Sequence, residues 1–517
     1  MDNGIAPNAK RLLYAGFMAI LAAGVGFSIR AGILGQWAEQ YGFTMTELGL
    51  ITGGGLTGFG VIIILSSLIA DRVGYGKLMV SAFVLHLLSA VLTLAAGAAF
   101  KAGGKPAAFQ CLYWGMFLFA IGNGVCEAVV NPLVATLFPK EKTHYLNILH
   151  AGWPGGLIIG GLASYFMAAG AGDKAVAWQV QMSLFLIPVV IYGLMLLGQR
   201  FPKSEASEHG VSFGQMLAEF ASPVLLVLLL IHALVGYVEL GTDSWIGKIT
   251  GAIMSDPKKG LLLFVYTSGL MFALRFFAGP IVHRTSPLGL LCASGVLGCI
   301  GLTLLGNATS IIYCVIAATV YACGKTFLWP TMLAVVSERF PKGGAVTIGA
   351  MGGVGMLSAG LLGGPGIGFK QDYHAAKQLQ TENPAVYERY KASAPNTFLT
   401  FKTTGLDGSK VGVLEDEGKE LTRANELLAK EGKKDENSAN LLAWWTAAKP
   451  SAAQDKPLVQ GASLHGGRMA LKITAAVPAT MAVLYLLLIL YFKSRGGYKQ
   501  VHIHGAGKKA EEVAEVS

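Results

Sequence analysis

Cys126-Glu127-Ala128-Val129-Val130-Asn131-Pro132 lies inside a long apolar run and returns later in the chain, in degenerate form, as Gly324-Lys325-Thr326-Phe327-Leu328-Trp329-Pro330. Each copy is followed by Phe-Pro-Lys, as Phe138-Pro139-Lys140 and Phe340-Pro341-Lys342. A second match sits at corresponding places, Ala70-Asp71-Arg72-Val73-Gly74-Tyr75-Gly76-Lys77 and Val282-His283-Arg284-Thr285-Ser286-Pro287. Two matches in register imply a duplicated architecture, a common way of building proteins that move solutes across bilayers.

The runs around these motifs are the material of a membrane protein. Of the 517 residues 53% are hydrophobic and only 14% are charged, against roughly a quarter charged in soluble domains. A helix of about 20 apolar residues satisfies its own backbone and spans about 30 Å of hydrocarbon. Spans are expected over residues 12–36, 48–70, 78–99, 111–138, 146–169 and 178–197, then over 224–249, 261–282, 288–305, 311–336, 346–367 and 473–492. The expected fold is an all-α membrane protein of twelve transmembrane helices in two pseudo-symmetric six-helix bundles.

As domains, this gives 1–198 for the first bundle, 199–218 for a linker, 219–369 for helices seven to eleven, 370–468 for an insertion, 469–493 for helix twelve and 494–517 for a tail. The first run is too long for a signal-peptide core and is expected to stay as a span. Lysine and arginine concentrate in the loops on one side, from Lys10 and Arg11 through Lys140 and Lys142 to Lys493 and Arg495. That bias predicts both termini in the cytoplasm and the insertion outside. The expected location is a bacterial inner membrane.

The formal charge of +10 is spread through short loops, which argues for membrane orientation and against nucleic acid as a partner. Cys111, Cys126, Cys292, Cys299, Cys314 and Cys323 fall in or beside apolar runs without paired spacing, so they read as packing residues, and no metal or other cofactor is expected. Residues 370–468 read as a solvated cap or partly helical hairpin. A minority reading makes that segment capture solute, on the exposed-looking pair Trp444 and Trp445.

Asp71-Arg72-Val73-Gly74-Tyr75-Gly76-Lys77 resembles the signature that the major facilitator superfamily carries between its second and third helices. The resemblance implies a cytoplasmic gating latch of Asp71, Arg72, Gly74 and Lys77, with Arg284 in the second copy. Gly124-Val125-Cys126-Glu127-Ala128-Val129-Val130-Asn131-Pro132, with Leu146-Asn147-Ile148-Leu149-His150, is similar to the fucose permease-like, proton-coupled sugar branch. That branch has a Glu at the position of Glu127, which implies a sugar or proton role.

A charge inside a spanning helix costs at least about 2.5 kcal/mol, so each one needs a partner or a wet cavity. The candidates are Arg30, Glu127, Glu239, Asp243, Arg275 and Lys325. Glu127 and Lys325 occupy equivalent places in the two repeats and are expected to face one central cavity, or else to form a structural ion pair. Arg30 could hold an anion or neutralise Glu239 or Asp243, and Asp243 could instead lie solvated at an outer helix end. Asn131, Asn147, Trp153 and Trp329 suit a cavity wall, because amides bind hydroxyls and indoles stack on sugar faces. His150 is the best placed of His86, His150 and His232 for proton relay.

These residues lead to a secondary transporter of a small polar solute, with a sugar and protons as expected partners and a monomer as the expected state. An organic anion carrier is the alternative, favoured by Arg30, Arg275 and Lys325. A membrane enzyme or non-transporting receptor would need a clustered catalytic set or a soluble domain, and neither is legible. No full phosphate-cradling Gly-x-x-x-x-Gly-Lys-Ser/Thr motif occurs, since Gly324-Lys325-Thr326 has Thr319 where the first glycine would stand, which disfavours ATP drive.

Overall fold

The computed structural model describes residues 7–43, 45–53, 55–168, 176–430 and 435–503. Among these, ten helical runs are long and apolar enough to cross a bilayer, and the pair Pro257–Arg275 and Ala278–Thr285, bent by 64°, makes an eleventh. Lys142–His150 and Gly152–Ala163, separated only by Ala151, complete a twelfth. The first span is Ala9–Tyr41 and the last ends at Ser494, so both ends of the described chain lie at one end of the bundle, here called the terminal end.

The third and fourth spans show how one residue sets a crossing. Tyr75–Leu94 continues into Ala96–Leu137 almost without a break, but Gly104 inside the second run has φ 67° and ψ −161°. A side chain would be strained there, and glycine lets the chain double back. Beyond it Gly115 rests on Ser89 and Thr93, and Gly122 rests on His86, the order of an antiparallel pair.

The duplication seen in the sequence recurs in the packing. In the first half, a Cβ on Gly24 of the first span would overlap the Trp153 carbonyl, and one on Gly156 of the fifth would overlap the Leu21 carbonyl. In the second half, a Cβ on Gly236 of the seventh span would overlap the Gly355 carbonyl of the eleventh. Without a hydrophobic drive in lipid, such close backbone approach is what joins helices. π-Helical turns also recur, at Ser164–Ala168 in the fifth span and Ala359–Gly363 in the eleventh. Gly236→Ala is expected to cost about 1–3 kcal/mol by overpacking this contact, read as a lower thermal midpoint in detergent. An unchanged midpoint would mean that the seventh and eleventh spans are not locked together there.

The insertion lies at the opposite end from the termini, and its flanking helices run past the limits expected at 370 and 468. Gly364–Glu382 carries the eleventh span outward, and Ala452–Thr474 precedes Ala476–Ser494 in the twelfth. Ala375, Ala376 and Leu379 on one extension and Val459 and Ala462 on the other join a small apolar core of their own. Between them lie short helices and a hairpin of Asn396–Phe398 with Phe401–Thr403, the one pair of strands among the described residues.

The expectation of an exposed tryptophan pair is corrected here. Trp445 is 4% exposed within that core. Trp444 packs edge-on against Tyr390 and donates to the Arg389 carbonyl. Arg389 in turn grips Asp455 with two bonds of 2.9 and 2.7 Å, which holds its guanidinium charged, while burial pushes the Tyr390 phenol up to about 12. These aromatics serve the cap's own packing, which removes the observation that motivated solute capture by it.

Candidate functional site

The fourth span places Glu127 and Asn131 one turn apart, so that the Asn131 amide donates to the Glu127 carboxylate at 2.6 Å and to its backbone carbonyl at 2.9 Å. With its amide nitrogen thus engaged, Asn131 accepts from His150 Nε2 at 2.8 Å, which puts the imidazole proton on that nitrogen. All three side chains are buried.

Arg275 ties this group to the second half. Its guanidinium donates to the His150 carbonyl, to the Thr326 carbonyl and, at 3.1 Å, to Glu239 of the seventh span. Five spans, the fourth, fifth, seventh, eighth and tenth, thereby meet around one buried chain of polar groups. Lys325 of the tenth span pairs with Asp243 of the seventh and lies by the Tyr321 ring. Of the three carboxylates at the centre, Glu239 and Asp243 have a cation, whereas no cation lies within 4 Å of Glu127 among the described residues.

The structure thus differs from two sequence alternatives. Glu127 and Lys325 do not pair with each other, since each has its own partner. Arg30 is not the counter-ion of Glu239 or Asp243, both of which are taken. It turns into the first half instead, donating to the Gly26 carbonyl and to Ser89 Oγ, with its charge 4.0 Å above the Phe119 ring. Asp243 is held within the bundle by Lys325 and is not a solvated helix end.

The remaining candidates divide between centre and gate. Trp329 packs at a tilt against the buried ring of His232, with centroids 4.6 Å apart, and neither nitrogen of His232 has a partner. Trp153 is half-buried beside Phe27. Asn147 donates to the Thr143 carbonyl and to Thr331 Oγ1 across the two halves, while its own oxygen is unpartnered.

At the terminal end, the Asp71 carboxylate approaches Gly344, the first residue of the helix Gly344–Ser358. A carboxylate there meets the positive end of a helix dipole. Gly74 has φ 91°, a backbone that disfavours a side chain, and Arg72 lies over Phe213 of the linker. Lys77 and Arg284 are exposed.

Sequence reasoning missed the seal beside this latch. Lys142 is 2% exposed, and its ammonium bonds Glu205 of the linker and the Ser337 carbonyl of the tenth span at 3.0 and 3.1 Å. Thr143 donates to Glu338 at 3.0 Å. Lys142 had counted only toward loop charge, but Glu338, an acid at the end of an apolar run, was a legible signal. Among the described residues, the hydrogen bonds between the halves lie at the level of His150 or nearer the terminal end.

This arrangement of two helical halves about a polar centre is matched by known proteins. The sequence model of the Major Facilitator Superfamily covers residues 16–364. FucP, the E. coli fucose:proton symporter, aligns in an outward conformation at 18% identity and a TM-score of 0.57, over 70% of this chain and 92% of its own. The proton:xylose symporter XylE bound to 6-bromo-6-deoxy-D-glucose aligns at 13% and 0.57, over 69% and 87%. A bacterial homologue of the human lysosomal transporter Spinster, inward-facing and unoccupied, aligns at 14% and 0.59, over 96% and 100%. These likenesses are of fold. No curated protein sequence matches the chain. Two six-helix halves, the paired repeats and the family match together place this multi-pass membrane protein: it is a transporter belonging to the major facilitator superfamily.

Proposed function

We propose that the protein carries a small neutral polar solute, of the sugar class, together with protons by alternating access. The observation that carries this reading is the difference among the three central carboxylates. A buried carboxylate without a cationic partner takes up and loses its proton without the cost of leaving a cation unpaired. Glu127 meets that condition, being held by an amide alone, whereas Glu239 and Asp243 are each bound to a cation.

The surroundings favour a hydroxylated solute over an anion. Arg275 and Lys325 are neutralised by carboxylates, and Arg30 is turned into the first half, so no free cation is offered at the centre among the described residues. Groups without a protein partner include both ring nitrogens of His232, the Asn147 oxygen and the Thr242 hydroxyl. Such groups are suited to the mixed donors and acceptors of a polyol. The names of FucP and XylE, which describe proton symporters of fucose and xylose, are consistent with this class. The closed seal at the terminal end corresponds to a state in which solute enters from the side of the insertion, with the termini in the cytoplasm.

Uptake into vesicles under an imposed pH gradient, across a panel of neutral sugars and organic anions, tests the class. Sugars should accumulate and anions should not. Arg30→Gln adds a second reading, because a packing role predicts equal loss for every solute and a lower thermal midpoint, whereas selective loss of anion uptake would support the organic anion alternative.

A further inference from the structure

The chain beyond the twelfth span does not leave the bundle at once. From Tyr498 to Ile503 it crosses the terminal face and touches both halves. Val501 donates its backbone N–H to the Glu338 carbonyl at 2.8 Å, and Arg339 donates to the Lys499 carbonyl, which fastens the segment to the end of the tenth span. The Tyr498 hydroxyl donates to the Glu338 carboxylate at 2.7 Å. Burial and that neighbouring carboxylate push the phenol well above its usual range, so it stays a donor at physiological pH.

The far side of the segment reaches the other half. Gln500 donates to the Pro139 carbonyl at 2.8 Å, at the end of the fourth span, while Ile503 is buried with Ala206 and Met216 of the linker and Val346 of the eleventh span. Glu338 is the shared node, since its second oxygen accepts from Thr143 of the first half. Any opening of the terminal end must separate Pro139 and Thr143 from Ser337 and Glu338, and that movement breaks the Gln500 bond.

We infer that Tyr498–Ile503 is an autoinhibitory strap, which biases the transporter toward the state closed at its terminal end. The inference rests on the alternating-access reading above. Its physical basis is selectivity between states: the Gln500 bond exists only while the halves are together, and a contact made in one state alone shifts the equilibrium by its full worth.

The test is a distance measurement by pulsed electron resonance on the full chain in lipid nanodiscs. Spin labels would replace the exposed Lys140 and Lys342 in a background lacking the six native cysteines. Gln500→Ala removes the hydrogen bond to the Pro139 carbonyl between the halves and is expected to raise the ratio of long to short distances about fivefold. Truncation after Gly497 removes the whole strap and should raise it about fivefold or more. Truncation after Ile503 should leave the ratio as in the unaltered chain, and a rise equal to that of the longer truncation would overturn the strap. Equal ratios in the Gln500→Ala, Gly497-truncated and unaltered chains, with both distances present, would also overturn it. A single distance for the unaltered chain at every pH and with every sugar in the panel would instead overturn alternating access, and the strap with it.

Discussion

Glu127→Gln is expected to reduce gradient-driven accumulation of solute to a ratio of about one while exchange of labelled for unlabelled solute continues. The magnitude follows from the gradient: one pH unit is worth about 1.4 kcal/mol per proton, enough for about tenfold accumulation at one proton per solute. A glutamine keeps the volume and can still hydrogen-bond Asn131, which contacts the native carboxylate at 2.6 Å, but it has no proton to exchange. Loss of both accumulation and exchange, with a normal thermal midpoint, would make Glu127 a solute ligand. Unchanged accumulation would remove it from coupling altogether.

The second large effect is on stability. Arg275→Met should lower the unfolding free energy by about 3–5 kcal/mol, because breaking one partner of a buried pair leaves an uncompensated charge. Arg275 is 1% exposed and binds Glu239 together with two backbone carbonyls, so the substitution orphans acceptors in both halves. Glu239→Gln in the same chain should recover a substantial part of the loss, since an amide needs no counter-ion. Purely additive effects of the two changes would show that the contact carries no coupling energy, and the pairing described here would not be what holds the eighth span to the seventh.

Much of this was legible because a membrane restricts the chain more than water does. Uninterrupted apolar runs, Pro132 and Pro330 after matching stretches, and Arg72 and Arg284 in matching loops are enough to read two six-helix halves. Glu127 and Asn131 were legible as neighbours, because residues four apart share a helix face. Contacts between helices were not. Lys325 with Asp243 and Arg275 with Glu239 depend on which spans lie side by side and on the rotation of each about its axis, and spacing along one helix carries neither.

Arg30 shows the same limit in sharper form. The cost of burying its charge demands compensation, yet a carbonyl, a hydroxyl and the face of Phe119 supply it within the first half, where a cavity or a carboxylate had been expected. The insertion's first and last residues are helical and pack on each other through alanines, which is compatible with a partly helical hairpin but could not be placed from sequence. Their mixed composition reads as loop in the absence of the partner helix.

Proton movement caused by solute tests the central claim most directly. Protein in de-energised proteoliposomes would receive a pulse of the sugar giving the greatest uptake, with external pH recorded in weakly buffered medium. Coupled entry predicts a rise in external pH as protons follow the solute inward, absent in Glu127→Gln. Solute entry with no pH change in the unaltered chain would contradict the coupling and leave a carrier that only equilibrates its solute.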